Sequence, residues 1–272
     1  SGQAIFRSKN IFGPYEEKML VEKIIDNTPN TVHQGALIDT PDGTQWWTIM
    51  QEDKGALGRM PNLQPVVWKE DWPVVGNNGK PYTSHTKPKV GTSYPCSILP
   101  TNDSFRSYPI GMQWEWNHTP DNGTWSLFER PGWLRLKTGT AVSRLTQARN
   151  ILTQRIFAYT NKASLGTVCI DASHLQEGDR AGICILQDPY GMICVEKKDG
   201  AYQLLWQKEK VRDAGSGFTP AEKTKAITLP DSIIYLRASI KYEENKPKFY
   251  YSLDNSTWTQ LGSEFSQSFN LS

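Results

Sequence analysis

The residues best suited to chemistry are concentrated between Val32 and Gly76. His33 stands directly before a strand-like run and is followed by Gln34 and Gly35. An imidazole placed there can ligate a metal, move a proton or serve as a hydrogen-bonded core group. With no partner visible along the chain, the core role stands first. Arg59 falls between glycine-flanked stretches and reads as a loop residue. Its permanently charged planar fork suits recognition of hydroxyls or a carboxylate, with a surface salt bridge as the alternative. The nearest carboxylates, Glu52 and Asp53, lie in Gln51-Glu52-Asp53-Lys54, which reads as a solvated turn rather than a catalytic pair.

The cysteines offer less. Cys96, Cys169, Cys184 and Cys194 form no C-x-x-C pair, and the last three sit in apolar runs, where a free thiol usually acts as a small buried hydrophobe. Cysteine usage therefore leaves the redox compartment open.

The elements that must position these groups are short strands. Residues 3–8, 35–39, 45–50, 63–68 and 72–75 are runs rich in β-branched and aromatic side chains, separated by turn signals such as Pro41-Asp42-Gly43. Helical periodicity is nearly absent; 143–153 comes closest and lacks a sustained apolar face. From about Gly76 to Pro100 the chain becomes polar and proline-punctuated, as a connector packed along its neighbours would be. Beyond it strands return. Residues 133–137 alternate as a half-buried antiparallel strand should, and Asp188-Pro189-Tyr190-Gly191 and Asp254-Asn255-Ser256 are flanked as hairpin turns. Many short strands at this spacing predict a two-sheet sandwich.

Composition excludes some classes of partner. A chain of 272 residues with net charge +2 and 21% charged residues has no polybasic surface for nucleic acid. No apolar run reaches the roughly 18–20 residues of a membrane span. The 10 Trp and 11 Tyr suit either sugar stacking or an aromatic all-β core. A non-catalytic carbohydrate-binding or structural sandwich is therefore one reading of the chain.

A second reading comes from motif order. His33-Gln34-Gly35, Trp46-Trp47, Gly55-Ala56-Leu57-Gly58-Arg59, Leu63-Gln64-Pro65 and Trp72-Pro73, preceded by the phrase from Arg7 to Glu16, resemble the last blades of glycoside hydrolase family 43, in its β-xylosidase and α-L-arabinofuranosidase branch. Trp114-Glu115-Trp116, Arg130-Pro131-Gly132-Trp133 and Gln147-Ala148-Arg149-Asn150 resemble the sandwich that follows in that branch. The resemblance implies an all-β chain. Residues 1–76 would be the C-terminal blades of a five-bladed β-propeller, 77–100 a linker, and 101–272 a concanavalin-like (jelly-roll) β-sandwich truncated at its end.

It also implies hydrolysis of xylose- or arabinose-containing glycans with inversion, by two carboxylates and a tuning Asp supplied by earlier blades. The expected partners are xylo- or arabino-oligosaccharides and those N-terminal blades. By the same resemblance Arg59, Gln34 and Trp47 are substrate-binding candidates, and His33 lies near an axial calcium. Trp114, Trp116, Trp125 and Trp133 are expected to pack rather than form a sugar platform, with 147–150 as a loop toward the pocket rim. Substrate class implies a periplasmic or extracellular location. The chain alone is expected to be inactive.

Overall fold

The structure, a computed structural model, describes residues 2–21, 32–54, 57–77, 79–91, 94–95, 98, 100–156, 161–211 and 220–268. Cys96 lies outside them. The described residues contain no α-helix, and they fall into two compact units, Ser1–Pro95 and Cys96–Ser272.

In the first unit, β1 (Gln3–Arg7) and β2 (Glu16–Val21) form a hairpin. β3 (Val32–Asp39), β4 (Trp46–Asp53), β5 (Arg59–Lys69) and β6 (Trp72–Val75) form an antiparallel sheet in sequence order. Alternation decides the packing. Leu20 and Val21 of the hairpin meet Val32, Met50, Val66 and Val75 of the sheet in one apolar cluster, joined by Ile5, Leu37 and Trp46. The β5–β6 turn holds Glu70 and Asp71 at φ of 51° and 59°, the mirror-type turn whose twist matches the strands it joins. Arg7 reaches this turn, donating to the Glu70 carbonyl at 3.0 Å while its guanidinium stacks 4.0 Å over Trp72.

The connector is strapped onto this sheet. Gln64, almost fully buried, accepts from the Tyr82 amide at 2.7 Å and donates to the Tyr82 carbonyl at 2.9 Å. A His85 ring nitrogen lies 2.7 Å from the Leu63 carbonyl, and the Lys89 amide donates to Gln45 at 2.9 Å. The Leu63-Gln64-Pro65 motif thus has a structural role, since the Gln64 amide replaces two missing ladder partners.

The second unit opens with short strands: β7 (Glu115–Trp116), β8 (Trp125–Ser126), β9 (Arg135–Leu136) and β10 (Leu152–Thr153). The alternating stretch 133–137 yields only the two residues of β9, paired to β8 alone. A turn bonding the Trp133 amide to the Arg130 carbonyl, with the Arg130 guanidinium over the Trp133 ring, occupies its first part. The stretch 143–153 contains a single 3-10 turn, Leu145–Gln147.

The sandwich follows. β11 (Ser164–Asp171), β17 (Ile233–Ile240), β18 (Lys248–Ser252) and β19 (Thr259–Gln260) make one sheet. β12 (Arg180–Ile185), β13 (Tyr190–Lys198), β14 (Ala201–Glu209), β15 (Glu222–Lys223) and β16 (Ile227–Thr228) make the other. Ile193, Val195, Leu204, Trp206, Ile234, Leu236 and Phe249 fill the space between the inner faces. Gly262, at φ 102°, lets the backbone approach Trp206 so closely that a Cβ would sit 2.5 Å from the ring.

The other face of β13 and β14 carries Tyr190, Met192, Cys194 and Leu205, covered by Leu145. Cys169, Cys184 and Cys194 are free thiols. Burial pushes Cys184 up to about 11 and Cys194 up to about 12, so both are inert packing groups near neutral pH.

Candidate functional site

The sequence-derived candidates of the first unit meet at one end of its sheet, through an irregularity in β3. Val32 and His33 oppose Glu52 and Gln51, but Ala36 opposes Ile49, so Gln34 and Gly35 together face Met50 alone. This is a β-bulge. Gln34 takes a φ of 52°, and a Cβ on Gly35 would lie 2.3 Å from the Met50 Cγ, so the second position admits only glycine. The amide of Gln34 is held by the Gln3 side chain at 2.6 Å.

The bulge puts two consecutive side chains to use on one face. His33 Nε2 lies 3.9 Å from Asp53 Oδ2. Gln34 Oε1 accepts from the Gln51 amide and from Arg59 Nη1, the latter at 3.3 Å. Arg59 Nε is 3.5 Å from Asp53 Oδ1, which is buried and makes no hydrogen bond. Asp53 is therefore the hub, directly opposite Arg59 in the ladder and diagonal to His33. Arg59 opens β5 rather than lying in a loop, and its side chain is 41% exposed. Two of its donors are directed inward, and the rest of the fork is available to a ligand hydroxyl or carboxylate.

Glu52 and Asp53 differ from the turn expected of them. They end β4, with Glu52 buried on the core face beside Lys54 Nζ at 2.6 Å, and Asp53 on the opposite face. A run of four polar residues resembles a turn in sequence, yet here it is a strand end whose alternate side chains serve a core and a site. Gln51 and Gln3 are the residues of the cluster that sequence reasoning missed, and Asp53 was set aside as part of a turn. The available signal was period two, since Gln51 and Asp53 share a face of β4 and stand opposite His33 and Arg59.

Trp47 is not brought to this cluster. It lies four residues up β4 from Gln51, about 13 Å by strand rise, buried beneath the connector with the His85 ring 5.5 Å away. Beside His33 lies one carboxylate, that of Asp53, which the Arg59 guanidinium shares. Calcium takes six to eight oxygens, so His33 would contribute to such a site only together with groups from outside this cluster. No group of three or more His, Cys, Asp or Glu with ligand spacing occurs among the described residues.

In the second unit the four tryptophans pack. Trp116 and Trp125 meet at a tilt with centroids 5.5 Å apart, Trp114 donates to Asp103 at 2.8 Å, and Trp133 lies beneath Arg130. The 147–150 loop is pinned at its base. Arg144 Nε is 3.7 Å from the buried Glu209, and Asn150 donates to the Lys137 carbonyl at 2.6 Å. No helix among the described residues is long and apolar enough to cross a membrane.

The antiparallel four-stranded sheet of the first unit and the two-sheet sandwich of the second are the architecture of a propeller blade and a β-sandwich. The family model described as "Beta xylosidase C-terminal Concanavalin A-like domain" matches residues 102–271. A putative beta-xylosidase of Xylanibacter ruminicola is 31% identical over 98% of this chain and 47% of its own length. Among solved structures, a bifunctional GH43-CE protein of Bacteroides eggerthii superposes with TM-score 0.81 at 33% identity, covering 98% of this chain and 33% of that one. A GH43 glycoside hydrolase engineered to display both endo-xylanase and exo-arabinofuranosidase activity gives TM-score 0.82 at 29% identity, over 98% of this chain and 54% of that one. The chain belongs to glycoside hydrolase family 43: the last blades of a five-bladed β-propeller followed by a concanavalin-like sandwich. It spans about half the length of the curated relatives it matches.

Proposed function

We propose that this chain is the C-terminal half of a glycoside hydrolase that cleaves xylose- or arabinose-containing glycans with inversion, and that it supplies the sugar-recognition side of the pocket rather than its acid and base. The observation that carries this is the Gln34–Arg59–Asp53–His33 cluster, an exposed guanidinium held by a bulge, in a family 43 chain half as long as its relatives. Inversion needs two carboxyl groups about 6.5–9.5 Å apart on either side of the scissile bond. Glu52 and Asp53 point to opposite faces of one strand, and each already faces a cation, so they cannot flank one glycosidic oxygen.

The hairpin supports a missing neighbour. Phe6, Ile11, Phe12, Tyr15 and Met19 are all exposed there, an apolar surface suited to covering by a preceding blade. Secretion to the periplasm or beyond the cell accords with a polymeric substrate.

The test is turnover of aryl β-xyloside and aryl α-L-arabinofuranoside by the purified chain, alone and fused behind the preceding half of the Xylanibacter relative. The chain alone should be inactive and the fusion active. Turnover by the chain alone overturns the placing of the acid and base upstream.

A further inference from the structure

While the tryptophans of the second unit are occupied in packing, two other rings are not. Tyr108 is 66% exposed and Phe128 71%, yet they stand against each other with centroids 5.4 Å apart. They border a cleft of about 520 Å³ that Phe105, Arg106, Ser107 and Pro131 also line, within the size range of small-ligand sites. Neither the Arg106 guanidinium nor the Tyr108 hydroxyl has a hydrogen bond or ion pair among the described residues, and no carboxylate lines the cleft.

The cleft is held in shape from behind. Phe105 adopts φ 52°, a left-handed conformation that costs a bulky residue free energy. Asp103 enforces it, accepting from the Phe105 amide at 2.7 Å and from the Trp114 indole at 2.8 Å, and the Phe105 ring packs on Trp114 at 5.6 Å. On the opposite wall Ser126 Oγ accepts the amides of Phe128 and Glu129, both at 3.1 Å, and Leu127 is buried, so Phe128 is turned outward. Rings fixed by backbone bonds rather than by mutual burial are a preorganised surface.

We propose that this cleft is a second sugar site, separate from the Arg59 cluster, that takes a neutral pentose oligosaccharide. Apolar C–H faces of the sugar rings lie on Tyr108 and Phe128, and the free donors of Arg106, Ser107 and Tyr108 meet the hydroxyls. Stacking provides most of the contact in such a site, and the absence of an acid in the lining leaves no group to bind a cationic ligand. The pentose identity rests on the function proposed above; the site itself rests on the geometry.

The experiment is a calorimetric or ligand-observed NMR titration of the 272-residue chain with xylotetraose. Tyr108→Ala and Phe128→Ala, both at exposed positions, should each weaken binding about fivefold or more with an unchanged melting temperature. Phe12→Ala, an exposed ring in the other unit, should leave it intact. Absence of binding at millimolar xylotetraose, or binding that the two cleft variants leave unchanged, overturns the proposal. So does binding that vanishes in the fused enzyme, where another segment would then occupy the cleft. Turnover by the fusion reads the catalytic proposal separately, because it does not depend on Tyr108 or Phe128.

Discussion

Gln34 Oε1 accepts a hydrogen bond from Arg59 Nη1 at 3.3 Å although their strands, β3 and β5, are separated by β4. The contact spans a neighbour because the bulge turns Gln34 onto the face of His33, and because Gln51 and Asp53 complete the polar row between them. A regular β3 would send Gln34 to the other face, and Arg59 would lose the amide that fixes its fork.

Gly35 is therefore expected to be irreplaceable. In Gly35→Ala the new Cβ would meet Met50 Cγ at 2.3 Å and the Ile49 carbonyl at 2.5 Å. The second is backbone and cannot yield, so a loss of about 2–3 kcal/mol is expected in urea denaturation, together with faster amide exchange in β3. Gln34→Gly, by contrast, relieves the positive φ and should hold or slightly raise stability while removing the contact to Arg59. Equal stability of Gly35→Ala and wild type would mean that β3 is not bulged there.

Arg59→Lys keeps the charge and removes the fork. In the fused enzyme kcat/KM should fall by about tenfold or more, because an ammonium cannot hold Gln34 and Asp53 and still present donors outward. If the fork binds the ground-state sugar, the change appears in KM; if it acts only at the transition state, in kcat. Unaltered kinetics would remove Arg59 from the pocket.

In the sandwich, Tyr190 donates its hydroxyl to Glu209, Gln207 donates to that hydroxyl at 3.2 Å, and Arg144 faces the same carboxylate. Burial, then Glu209, pushes the Tyr190 phenol well above its ordinary value, so it stays a donor at any pH the protein meets. Glu209→Leu removes the acceptor of the buried Tyr190 hydroxyl and the carboxylate that faces Arg144, and should cost about 2–3 kcal/mol. Tyr190→Phe removes one donor and should cost about 1 kcal/mol. Denaturation midpoints measure both, and a Glu209→Leu protein as stable as wild type would show the network to be dispensable.

The strands were legible wherever β-branched and aromatic runs met a partner of matching period. Trp46 to Met50 and Leu63 to Trp68 are examples, and the turn at Asp188 joins β12 to β13 as its composition predicts. Residues 133–137 have equally clean alternation and form almost no strand, because ladder partners are a property of the fold and not of the segment. Arg59, Gln34 and His33 were legible by motif, but their assembly was not. It depends on a bulge at a glutamine, a residue with no special leaning to positive φ, and on an aspartate hidden in a polar run. The connector's role was half visible: its prolines mark it, whereas the clamp by Gln64 requires seeing that the Tyr82 backbone of the connector lies beside that side chain.

Asp171 links the segment preceding the sandwich to β11. Burial raises its pKa, but the hydroxyl and amide of Ser173 and the Arg130 guanidinium at 2.5 Å outweigh this and hold it at about 2. The unfolded value is near 3.9. A carboxylate depressed in the folded state contributes stability that is fully present above the unfolded value and is lost as pH falls through the folded one. Unfolding free energy should therefore decline between pH 4 and 2. After allowance for the partly exposed Arg130, the contribution is about 1–2 kcal/mol. Asp171→Asn should remove that amount at pH 7 and flatten the acid limb of the stability curve. Because Arg130 would keep its place on the Trp133 ring, the variant should fold normally. An acid limb unchanged in Asp171→Asn would assign the pH dependence to other carboxylates, of which Asp42, also held at about 2 by the Thr40 and Thr44 hydrogen bonds, is the next to test.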